Sequence, residues 1–228
     1  MKHLRLLGPL LAGLLLGAAP SAPPEPFVWA TLRYESGDWD SAPLVPANLV
    51  HSIAQYTSIP VAARGAVVDL GSPELFRYPF VYMTGHLPVR FSRRESDNLA
   101  AFVARGGFVF IDDHNHDVDG AFHRTATAEL ARIFGSRALR PLPNDHEIYR
   151  AFFRFEDGPP TTSHELNGWG DNLIHEQLSG IEVDGRLGVL YSNKDYSSEW
   201  SYHPRNKRFL AVDNTRFGVN LVVYALTR

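Results

Sequence analysis

The chain has 228 residues, 44% of them hydrophobic and 21% charged, with a formal net charge of -3 and no cysteine. That balance fits one well-filled globular core and excludes disulfides, thiolate metal ligands and cysteine nucleophiles. Lys and Arg form no basic stripe interleaved with aromatic residues, so no nucleic-acid partner is expected.

The N-terminus speaks to compartment. "MKHLR" is a short positive region, residues 6–19 are apolar, and "APSAPPEP" supplies small residues before a proline-rich start. This is the pattern of a secretory signal, and the apolar run is shorter than the roughly 20 residues a bilayer span needs. We expect a signal over residues 1–22, cleaved between Ala19 and Ala22, with retention as an anchor as the alternative. The remainder, 23–228, is then a single exported domain, periplasmic or extracellular, with no transmembrane span after signal removal.

Strand and helix patterns alternate from there. "FVWATLRY" (27–34) reads as a strand, and Leu49, Val50, Ile53 and Ala54 have helical spacing behind nearby prolines. "AVVDL" and "FVYMTGH" are short β-rich runs. In "SRRESDNLAAFVARGG", Ser92 and Glu95 form a capping-box pattern, Leu99, Phe102 and Val103 share a face, and Gly106 can end the helix in a left-handed conformation. "FVFI" follows without polar alternation, as expected of a strand covered on both faces in a parallel sheet. Phe122, Ala126, Leu130 and Ile133 mark another helix, "GRLGVLYSN" a strand, and "RFGVNLVVYAL" a closing helix with Phe217, Leu221, Tyr224 and Ala225 aligned. Residues 155–172 lack periodicity and read as a surface excursion or lid near a site. The whole reads as a three-layer α/β fold.

In open parallel sheets ligands gather outside the carboxyl ends of the strands. Candidate ligand-binding residues at those ends are Arg33, Tyr34, Gly85, His86 and Asn193, with Trp200 nearby. Asp112, Asp113 and Asp195 are the candidate carboxylates for acid and base work. Asp112, His114 and His116 alternate, so in an extended segment they would share a direction and could hold a divalent metal such as zinc or iron, with a water of lowered pKa in an open position. The plainer reading of "DDHNHD" is a solvent-facing loop, with Asp113 capping the next helix or bonding its own turn. Ser92 and Ser192 lack the glycine-flanked elbow of an activated hydroxyl. His51 and His175 fall in helix-like segments and read as surface or satisfied histidines. Trp39, Trp169 and Trp200 could be core, loop anchors or stacking platforms.

From Phe27 onward the chain resembles the domain-of-unknown-function 4159 family. "RYESGDW", "YPFVYMTGH", "LAAFVARGGFVFIDD", "DHEIYRAFF", "YSNKDYSSEW" and "FGVNLVVYAL" occur in the expected order. The resemblance implies a flavodoxin-like parallel sheet similar to the class I glutamine amidotransferase superfamily, in which the turn after "GGFVFI" bears a nucleophilic cysteine. Here Asp112 and Asp113 stand at that turn, so thioester chemistry is excluded. Related domains keep company with MoxR-type ATPases, von Willebrand factor A domains and membrane-anchored proteins, although an exported chain would not meet a cytoplasmic ATPase. Three readings follow. The first is an exported binding or interaction module of the cell envelope, its partner a protein or glycan, that kept the scaffold without the nucleophile. The second is a metal- or carboxylate-dependent hydrolase or sugar-modifying enzyme. The third is a glycan-binding protein with Trp39, Trp169 or Trp200 exposed together.

Overall fold

The computed structural model describes residues 25–136, 138–203, 205 and 212–228; the expected signal, residues 1–22, lies outside them. In chain order the elements are β1 (Ala30–Arg33), α1 (Val45–Tyr56), β2 (Ala66–Asp69), β3 (Phe80–Gly85), α2 (Arg93–Ala104), β4 (Phe108–Asp113), α3 (Ala121–Phe134), β5 (Arg140–Pro141), α4 (Ser163–Leu166), β6 (Ser179–Val183), β7 (Arg186–Ser192), α5 (Tyr196–Trp200) and α6 (Val212–Thr227). The sheet runs β2-β1-β3-β4-β7-β6-β5, parallel from β2 to β7, with β6 and β5 added antiparallel at one edge. Its five parallel strands therefore follow the doubly wound order 2-1-3-4-5.

Alternation along the central strands sorts two cores. Phe80 and Tyr82 of β3 and Phe108 and Phe110 of β4 join Trp29, Trp200, Phe217 and Tyr224 beneath α1, α5 and α6. Val81, Met83, Val109 and Ile111 join Leu99, Phe102, Phe122 and Leu130 beneath α2 and α3. One face is mainly aromatic and the other mainly aliphatic, and both are sealed from water, as the uninterrupted "FVFI" implies. The aromatic side holds Trp29 with its ring centroid 4.9 Å from Phe80, and Tyr196 stacked on Trp200 at 5.4 Å.

The local signals for α2 hold in detail. Ser92 and Glu95 form the reciprocal capping box, and Gly106 takes φ 95°, turning the chain back toward β4. Gly188 of β7 leaves no room for a β-carbon beside Val103, so α2 lies close on the sheet.

Some expectations need correction. The first strand is shorter than 27–34, and Phe27 makes only an isolated bridge to Val61. The excursion contains the short helix α4, with its own Thr162 and Glu165 capping box. His51 lies exposed on α1, but His175 is in an irregular segment rather than a helix. Trp200 is wholly buried, its indole N–H donating to the Asn214 carbonyl at 2.9 Å, so it is neither a surface platform nor exposed with Trp39 and Trp169.

Trp200→Ala should cost about 3–5 kcal/mol, the usual loss for truncating a large buried ring. Urea unfolding measures this, and an unchanged midpoint would contradict its place in the core.

Candidate functional site

The register sets β3, β4 and β7 level at their carboxyl ends: Thr84 faces Asp112, Gly85 faces Asp113, and Asp112 faces Ser192. Because side chains alternate, Asp112 continues the aromatic face of β4 and Asp113 the aliphatic face. Both are at 0% exposure. Asp112 Oδ2 accepts the Ser197 N–H at 2.7 Å and the Ser197 hydroxyl at 2.6 Å, anchoring the start of α5. That hydroxyl also lies 2.7 Å from both Tyr82 and Thr84. Asp113 Oδ1 accepts the Asn115 N–H at 3.0 Å, closing its own turn. The other oxygens, Asp112 Oδ1 and Asp113 Oδ2, have no hydrogen bond of normal geometry among the described residues, although the Ser192 side chain and Tyr196 N–H favour the Asp112 carboxylate and Asp117 N–H that of Asp113. Burial raises Asp112 to about 6 and Asp113 to about 7.

Asp195 is also sequestered. It sits at φ 55° as the N-cap of α5, its Oδ1 accepting Ser198 N–H at 2.9 Å. Burial, then the neighbouring Asp112, pushes its carboxyl well above the ordinary range. His164 lies 3.3 Å and His114 3.7 Å from its two oxygens. Burial lowers those rings to about 4 and about 3. Both imidazoles are therefore neutral near pH 7.

The switch-point crevice between β1 and β3 is filled by protein. The Tyr34 hydroxyl donates to Thr84 O at 3.0 Å and lies so close to Gly85 that a β-carbon there would collide with it. Asp38 accepts the N–H groups of His86 and Leu87 at 2.8 and 2.9 Å and lies 2.8 Å from the His86 ring. Burial opposes its charge, but these donors outweigh burial and hold Asp38 below its usual value. His86 in turn stacks on His114 at 4.2 Å. Arg33 diverges from the group, pairing with Asp69 and lying over Trp39.

Asp112, His114 and His116 do not converge. The His114 nitrogens face the Ser41 and Ser198 hydroxyls at 3.2 and 3.1 Å. His116, at φ 49°, turns the other way, toward the excursion. Its partners there are Asp171 and His175, and one ligand atom from each of the three lies within 4.8 Å of the others. Asn193 joins them, its amide nitrogen 3.3 Å from Asp171 and 3.2 Å from His175. Asp171 and His175 carry no local spacing relation to His116 and were missed. The one available signal is "GWGD", whose glycines take φ 69° and 65° and bring Asp171 N–H within 2.8 Å of His116 O.

A buried ion pair holds the excursion down. Lys194 Nζ lies 2.6 Å from Glu165 Oε1 and donates to His175 O at 2.6 Å. Burial disfavours the ammonium while Glu165 favours it, with a net lowering. Above this clamp, Leu166, Trp169, Leu173 and Ile174 stand 71%, 45%, 51% and 56% exposed. Ile174, His175, Thr161 and Lys194 line a groove of about 550 Å³.

Asp112 and Asp113 keep their protons to higher pH in the folded chain than in the unfolded one, where the value is near 3.8. The folded state therefore binds more protons between pH 4 and 7, and these groups lower stability as pH rises across that window. At about 1.4 kcal/mol per unit, Asp113 accounts for up to about 4 kcal/mol. Asp113→Asn should raise the urea midpoint at pH 8 and flatten the pH profile. A variant with the wild-type slope would refute burial as the cause.

No curated protein matches the chain. The profile of the family described as Domain of unknown function (DUF4159) matches residues 28–226, from before β1 to within one residue of the end of α6. The chain with this edge of buried carboxylates and histidines therefore belongs to the DUF4159 family.

Proposed function

We propose that the chain is a binding module, exported to the periplasm or beyond, whose partner is an envelope protein docking on the excursion around residues 166–174. The observation that carries this reading is the group Leu166, Trp169, Leu173 and Ile174, large apolar side chains left exposed on a segment clamped by a buried ion pair. Large apolar groups exposed along one short segment suit an interaction surface, and a segment already ordered loses little freedom on binding. The three candidate catalytic carboxylates support it from the other side. Asp112, Asp113 and Asp195 are at most 1% exposed, and each bonds a backbone N–H that shapes a turn or helix start.

Export rests on the positive, apolar and small-residue pattern of the first 22 residues, and the lack of cysteine is compatible with oxidising surroundings. The 2-1-3-4-5 strand order supports a finer placement in the class I glutamine amidotransferase-like superfamily, with Asp112 and Asp113 where active members carry cysteine. A single domain over 23–228 belongs to the same proposal.

The test offers solubilised envelope proteins to immobilised wild-type chain and to a Leu166→Asp, Ile174→Asp double variant of matching circular dichroism. One protein should be held by the wild type through a rising salt gradient and lost from the variant. Equal retention by both, or none by either, rejects the docking surface.

One observation favours a hydrolytic reading instead: Asp113, raised to about 7, keeps one buried oxygen without a hydrogen bond of normal geometry, as a general base would. Turnover of ester, amide or glycoside substrates that Asp113→Asn abolishes in a folded chain would put this reading first. A glycan partner is left with Trp39 and Trp169, since Trp200 is buried.

A further inference from the structure

We infer that His116, Asp171 and His175 form a binding site for one divalent transition-metal ion of the zinc class, placed beneath the exposed apolar segment. The inference is independent of the docking reading, because metal binding is measured without a partner.

Two observations meet here. The first is the donor set. One nitrogen from each imidazole and one carboxylate oxygen lie within 4.8 Å of one another, with His116 Nε2 3.4 Å from Asp171 Oδ1 and His175 Nε2 2.9 Å from Asp171 Oδ2. Two imidazoles and a carboxylate suit zinc or ferrous iron and leave further positions open, whereas magnesium and calcium prefer oxygen alone. The set is partly reachable: His116 is fully buried, but the Asp171 and His175 side chains are 6% and 17% exposed.

The second is an imbalance of donors and acceptors. His116 Nδ1 lies 2.5 Å from Asn193 O, and Nε2 lies 3.0 Å from Leu173 O as well as facing Asp171. A neutral imidazole donates from one nitrogen only. With Nδ1–H given to Asn193 O, Nε2 points a lone pair at two oxygens, and only a positive centre relieves that arrangement. A carbonyl on the far nitrogen is also the support that metal-bound histidines use to fix their tautomer.

The frame around the donors is already rigid. Asp171 Oδ1 accepts Leu173 N–H at 3.0 Å and Oδ2 accepts Val118 N–H at 3.2 Å. A β-carbon at Gly170 would collide with the carbonyls of Asn115 and His116, so only glycine lets the excursion come this close. Asn193 Oδ1 is buried without a hydrogen bond of normal geometry. Rotating that amide would exchange its nitrogen for an oxygen beside Asp171 and His175, adding a fourth donor. Because Asp171 and His175 flank Leu173 and Ile174, a metal here would tie the apolar segment to the turn after β4.

The experiment titrates cobalt(II) into full-length chain, purified without a histidine tag and stripped with chelator. The visible spectrum and thermal unfolding are recorded for wild type, Asp171→Asn, His175→Ala and His114→Ala. We expect one equivalent of cobalt with the absorption of a low-coordinate nitrogen and oxygen site, and a melting temperature that climbs with metal concentration. His175→Ala and Asp171→Asn should each weaken binding by about 100-fold or more, since even an outer-shell partner is worth about 10–100-fold. His114→Ala should bind as wild type. Absence of stoichiometric binding would leave the position without a metal, and binding unchanged in both ligand variants would place cobalt on other histidines. Either result overturns the site. Should His175→Ala fail to fold, Asp171→Asn, which keeps the side-chain shape, decides alone.

Discussion

A strand with neighbours on both edges and helices on both faces has nowhere to put a polar side chain except its end. β4 is that strand, and its last two residues are carboxylates that remain out of water. Everything at the carboxyl edge answers to this constraint. Asp112 is held by the start of α5 and Asp113 by its own turn, and desolvation raises both toward neutrality. The polar cluster at the end of the sheet is thus first a solution to a burial problem, and any further use is built on that solution.

The same logic extends to the segment that covers the edge. A chain crossing over buried polar groups must satisfy them and must itself be fastened. Lys194 and Glu165 supply the fastening, with Glu165 also accepting the N–H groups of Thr162 and His175 and Lys194 reaching the His175 carbonyl. Such a pair gains little net free energy against an apolar equivalent, yet losing one partner strands the other charge. Its effect is to specify where the excursion sits. That position carries His175 and Asp171 to His116 and leaves Leu166, Trp169, Leu173 and Ile174 facing outward.

Much of the architecture was legible because it rests on local periodicity and punctuation. The capping box of α2, the glycine after it and the doubly covered β4 all announce themselves within a few residues, and they place Asp112 and Asp113 at the edge. β5 and β6 were not legible: β5 is two residues with a proline, and β6 mixes Gly180 and Glu182 with apolar residues, so neither shows a run. The site was legible only in half. His116 stood out by its neighbours, but alternation along "DDHNH" assumes an extended chain. The positive φ at His116 breaks that assumption and sends its ring away from His114. His175 reads as helical, but its segment is irregular and its neighbours Leu173 and Ile174 face solvent.

Three of the four tryptophans divide along the same boundary, the fourth being Trp39, half-buried beneath Arg33. Trp29 and Trp200 are sealed in the aromatic core with no exposed surface. Trp169 rides on the excursion, its ring set edge-on against His164 at 4.6 Å. Core and excursion therefore carry separate fluorophores. With Trp39 replaced by Phe, excitation at long wavelength should yield a blue-shifted component that reports on the sheet and a red-shifted one, sensitive to the adjacent imidazole, that reports on the covering segment. The chain thus carries an optical label on the part of its surface whose seating decides whether the three metal-type side chains meet.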